Sequence, residues 1–77
     1  MRLFKSKLLN YRFYTNNRLE AEVFFTKSGL IERIFLYNTF VDSMVEIDVV
    51  RFEEHNQSRY NYIQETINGV LDADEAI

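Results

Sequence analysis

Apolar and polar side chains alternate through much of the chain and then change period near its C-terminal third. Leu9, Tyr11 and Phe13 alternate with Asn10, Arg12 and Tyr14, and Leu19, Ala21, Val23 and Phe25 with Glu20, Glu22 and Phe24. A period of two places one set of side chains on each face of a strand. Two further apolar runs, Leu30 to Tyr37 and Met44 to Phe52, read as strands by the same rule; in the last, Val45, Ile47 and Val49 oppose Glu46 and Asp48. The Leu30 run also fits a helix through Leu30, Ile34, Tyr37 and Val41, and strand is preferred for its place after a hairpin turn.

The turns fix a register. A three-residue loop at Asn16-Asn17-Arg18 sets Phe13 against Ala21, Tyr11 against Val23 and Arg12 against Glu22, which agrees with both alternations. A loop at Lys27-Ser28-Gly29 puts glycine where a left-handed residue is needed and sets Ile31 against Phe25. Continued without interruption, that register puts Phe35 opposite Ala21, Phe24 opposite Glu32 and Ile34 opposite Glu22. Asn38 to Ser43 reads as a connection holding an apolar anchor at Phe40 or Val41.

After residue 56 the apolar positions Tyr60, Ile63, Ile67 and Val70 recur at steps of three and four. This predicts a helix over about 57–68, with Asn56 as N-cap and Gly69 as C-cap. So short a helix needs a packing partner, and the sheet face lined by Tyr11, Phe13, Val23, Phe25 and Phe35 supplies one. The predicted fold class is therefore α+β: a small antiparallel sheet of about four strands with one C-terminal helix on one face. Seventy-seven residues without proline, and with glycine only at 29 and 69, make one domain over 1–77 with a frayed acidic tail at 72–77.

Composition narrows the function more by exclusion than by assignment. Without cysteine there is no disulfide framework or thiolate site, and no apolar run approaches the length of a signal core or membrane span. The expectation is a cytoplasmic protein with no membrane association. His55 is the single histidine and follows Glu53 and Glu54, but no activated nucleophile accompanies it. Glu20, Glu22, Glu32, Glu46 and Asp48 read as solvated strand positions. No catalytic residue, metal site or cofactor is expected, and no enzyme activity.

Charge separates along the chain. Arg2, Lys5, Lys7, Arg12 and Arg18 occupy the first 18 residues with no acid, whereas all twelve acids follow. Interleaved with Phe4, Tyr11, Phe13 and Tyr14, these bases form a candidate nucleic-acid surface. The register weakens that reading, since Arg12 meets Glu22. What folding leaves over is the outer side of the second and third strands, where Phe24, Leu30, Ile34 and Leu36 gather with Tyr14 nearby. A contiguous apolar group rimmed by charge marks an interface. The leading expectation is thus a non-enzymatic protein-interaction module, an inhibitor or adaptor, binding another protein or a second copy of itself. The alternatives are a nucleic-acid-binding protein using the basic N-terminal segment and an acidic mimic of nucleic acid.

Overall fold

A computed structural model describes residues 7–75, with side chains to Ala73. The elements are β1 (Leu9–Thr15), β2 (Arg18–Phe25), β3 (Ile31–Asn38), β4 (Ser43–Ile47), α1 (Val49–His55) and α2 (Gln57–Glu75). The strands form one antiparallel sheet in the order β1-β2-β3-β4. Phe52 from α1 and Ile63 and Ile67 from α2 close a core with Val23, Phe25, Ile31 and Ile34. Hence the fold is a four-stranded antiparallel sheet with C-terminal helical segments packed against one face.

Both hairpins carry an irregularity, with opposite consequences for the predicted register. The first turn has two residues, Asn16 and Asn17, both at positive φ, the backbone of a primed turn that matches strand twist. A bulge then shifts the pairing between Phe13 and Tyr14, which restores Phe13 to Ala21, Arg12 to Glu22 and Tyr11 to Val23. The expected pairs therefore form, although the loop is one residue shorter.

In the second hairpin Gly29 adopts φ 92° as expected. Its N–H donates to the Thr26 carbonyl at 2.9 Å, and Thr26 N–H donates to the Leu30 carbonyl at 2.9 Å. Phe25 pairs with Ile31, but the register then slips, so that Phe24 meets Arg33 and Val23 meets Ile34. Glu32 is the extra residue. Because side chains alternate with period two, this single insertion exchanges the faces of β3. Arg33 explains the exchange: in the uninterrupted register it would point beneath the helices, where an unpaired guanidinium costs several kcal/mol. The bulge turns it outward and carries Ile34 and Leu36 inward.

The C-terminal part departs from the expected boundaries. β4 stops at Ile47, because Asp48 accepts from Arg51 N–H at 3.0 Å through its side chain and caps α1. Asp48 is therefore a helix cap, and Phe52 a buried core residue of α1. Val49 packs against the core while Val50 is exposed, a division by helical rather than strand period. Asn56 joins the helices: its N–H donates to the Phe52 carbonyl and its carbonyl accepts from Tyr60 N–H. Gly69 does not end α2, which continues through Glu75 and includes Asp72 and Asp74 of the predicted tail. Residues 76–77 lie outside the described residues.

Candidate functional site

The five predicted interface residues do not converge. Ile34 is fully buried in the core, and Leu36 packs against it. Both positions are corrected from the outer to the helix-facing side, for the reason given by the Glu32 bulge. Phe24 remains on the outer face, half-buried. Leu30 is exposed in the β2–β3 turn, and Tyr14 is exposed at the opposite end of the sheet. Phe35, expected under the helices, stands on the outer face beside Phe24, with ring centroids 5.8 Å apart in an edge-to-face pair.

A charged side chain lies over one ring of that pair. Arg33 lies over the Phe35 ring at 5.2 Å and donates through Nε and Nη2 to the two Glu46 carboxylate oxygens at 2.8 and 2.7 Å. These bonds hold the Glu46 carboxyl below its ordinary range and the Arg33 guanidinium above its own. On the β1 side, Glu22 accepts from Asn10 at 2.6 Å and from Arg12 at 3.2 Å. The outer face thus carries cross-strand polar pairs beside two rings, each pair satisfied within the chain.

The described members of the basic set, Lys7, Arg12 and Arg18, likewise do not converge. Arg2 and Lys5 lie outside the described residues. Lys7 precedes β1, Arg12 is paired with Glu22 on its outer face, and Arg18 beyond the far turn lies over the Tyr37 ring at 5.5 Å. His55 is exposed in the last turn of α1. Among the described residues no group of three or more His, Asp or Glu side chains is placed to hold a metal ion. No described helix is long and apolar enough to cross a membrane.

One apolar feature does stand clear of the fold. In the β3–β4 turn Phe40 is 96% exposed and Val41 60% exposed; neither anchors the chain, contrary to expectation. Their backbone is nevertheless fastened. The Asn38 Oδ1 accepts from Phe40 N–H at 2.8 Å and from Val41 N–H at 3.2 Å, an Asx-type turn. Asp42 takes positive φ and accepts a hydrogen bond from the Tyr37 hydroxyl, which holds the Tyr37 phenol above its ordinary range. A shallow depression lined by Arg18, Leu19, Tyr37, Asp42 and Met44 lies against this turn. The Asn16-Asn17 turn lies at the same end of the sheet.

The sequence signals for this site were weak. Phe40 and Val41 sit in an irregular segment where periodicity assigns no face, and only the Asn38 and Asp42 flanks hinted at an ordered turn. Arg33 was the stronger missed signal, because a charge in the middle of a supposed core face contradicts that register. Compared with family models, curated proteins and solved structures, the chain gave no match in any of the three.

Proposed function

We propose that this chain is a non-enzymatic protein-interaction module, an inhibitor or adaptor, whose anchor is the Phe40–Val41 turn. The observation carrying the proposal is a phenylalanine 96% exposed on a backbone that is hydrogen-bonded into place. An exposed ring contributes nothing to the core, whereas its burial in a partner's pocket is worth about 1.5 to 3 kcal/mol. Pre-ordering the turn lowers the entropy cost of that contact. Rigid aromatic anchors set among Asn, Thr and Ser are also the composition of effective binding loops; here Tyr14, Asn16, Asn17, Thr39 and Ser43 occupy those positions.

A pocketed protein is favoured over a lipid surface. One ring and one valine bury too little for stable membrane attachment, and Asp42 sits beside them. Cytoplasmic residence is part of this proposal. The test is affinity capture from the source cells with the wild-type chain and with Phe40→Asp, followed by sizing of the recovered complex. A protein retained by the first and lost with the second, while both chains stay folded by circular dichroism, is the expected result. Equal recovery by both chains, or recovery of nucleic acid alone, overturns it.

A further inference from the structure

Among the described residues the sheet has two open edges, and they differ in what they can pair with. The order β1-β2-β3-β4 leaves one side of β1 and one side of β4 without a neighbouring strand. Bulges, prolines and charges are the devices that keep such edges from joining other chains. β1 carries two of them: its pairing with β2 slips between Phe13 and Tyr14, and Arg12 stands at the middle of Leu9–Thr15, where self-pairing would set it against its own counterpart. β4 is open by comparison. Ser43–Ile47 pairs with β3 without a register shift and contains no proline or base, and its one charge, Glu46, is already bound by Arg33.

The residue at the middle of β4 is Val45. A two-fold axis through it, the commonest symmetry of self-association, sets Val45 against itself, Met44 against Glu46 of the second copy, and Ser43 against Ile47. No like charges face each other along these strands. Val45 pairs with Leu36 and so lies on the helix side of the sheet, where it is 36% exposed. Two β-branched side chains fit such a half-covered pleated surface.

The match continues beyond the strand. β4 runs from the Phe40–Val41 turn at one end to α1 at the other, so antiparallel pairing of two β4 strands brings the turn of each copy beside the start of α1 of the other. Both places present apolar groups that the core does not use: Phe40 and Val41 in the turn, and Val50, 65% exposed, in α1. Phe40 and Val50 stand five residues either side of Val45, as a self-complementary surface requires. The acids brought nearest across the axis, Asp42 and Asp48, are each engaged within their own chain, Asp42 by the Tyr37 hydroxyl and Asp48 by Arg51 N–H.

We infer that β4 is a homotypic interface: two copies join edge to edge into one continuous sheet, covering Val45 and setting the Phe40 turn of each against Val50 of the other. This rests on the reading of the Phe40 turn as an anchor, and names its partner as a second copy of the chain.

The test is sedimentation equilibrium of the full chain, with amide exchange measured at low and high protein concentration. A monomer–dimer equilibrium is expected, with exchange along residues 43–47 slowing as the dimer fills and exchange along 9–15 unchanged. Val50→Asp places an acid in the first turn of α1, where it suits the helix, so its urea midpoint should match or exceed that of wild type while its dimer dissociates at least tenfold more readily. Val45→Lys and Phe40→Asp should weaken the dimer as much, and Leu30→Asp, in the exposed turn at the other end of the sheet, should leave it unchanged. Dimers that protect β1 instead of β4, or folded Val50→Asp or Phe40→Asp variants that dimerise like wild type, overturn the inference. A chain monomeric up to about 1 mM overturns it alone if Phe40 still captures another protein, and removes the turn reading as well if it captures none.

Discussion

The turns at the two ends of the sheet stand in different relations to the core. At the β2–β3 end, Gly29 is buried, and its carbonyl accepts from Gln64 Nε2 of α2 at 2.8 Å. Leu71 and Asn68 stand within 3.5 Å of where a Gly29 Cβ would sit. This turn is tied to the helix and belongs to the folding machinery. At the β3–β4 end the turn is held by hydrogen bonds to Asn38 and from Tyr37, but its apolar side chains, Phe40 and Val41, are exposed. An ordered segment whose apolar groups are unused by the core is a better pointer to function than apolar content alone.

The bulge beside the Gly29 turn decides which side chains of β3 belong to folding, and the largest predicted effect follows from it. Ile34→Ala should cost about 2 to 5 kcal/mol, because it empties a fully enclosed site. Urea unfolding would show the loss, whereas the register without the bulge predicts a nearly neutral surface change. Next, Gly29→Ala should destabilise by about 1 to 2 kcal/mol, the cost of a left-handed L-residue, increased by contact with Asn68 Oδ1 at 3.1 Å. Gln64→Ala should destabilise by about 1 kcal/mol in the same unfolding measurement through loss of the bond to the Gly29 carbonyl. If either variant behaved like a change at the free turn, the contrast between the two ends would fail.

A smaller effect concerns the outer face. Glu46 has its carboxyl lowered by the hydrogen bonds from Arg33, so the folded state binds a proton less readily than the unfolded chain. Its contribution to stability is present above the ordinary glutamate range and is lost as pH falls through that range to the depressed folded value. Glu46→Gln should therefore flatten this part of the acid-unfolding profile. The pair is exposed, so added salt should reduce the difference between the two proteins. A profile identical to wild type would remove the pair from the account.

Much of the fold was legible because period and turn chemistry agree. The alternation at Leu9–Phe13 and Leu19–Phe25 identified two strands, and Gly29 identified the turn that needs positive φ. Bulges were not legible by counting, since each adds one residue without changing composition. For the first hairpin this did not matter, as the bulge restored the counted pairs; for the second it moved Ile34 and Leu36 from the proposed surface into the core. The run Ile47–Val50 concealed the start of α1 because β-branched residues favour strands, while the cap at Asp48 prevailed through its bond to Arg51. Phe40 was visible only as an apolar residue in an irregular connection, and its exposure depends on a turn geometry that no periodicity encodes.

The division between the ends is tested most directly by placing a photoreactive phenylalanine analogue at position 40, or separately at position 30, and irradiating the source cells. Both sites are exposed, so both variants should fold with stabilities within about 0.5 kcal/mol of wild type. The account predicts a discrete covalent adduct with one protein from position 40 and none from position 30. Equal adduct yields from the two positions, or an adduct from position 40 with nucleic acid instead of protein, would contradict it.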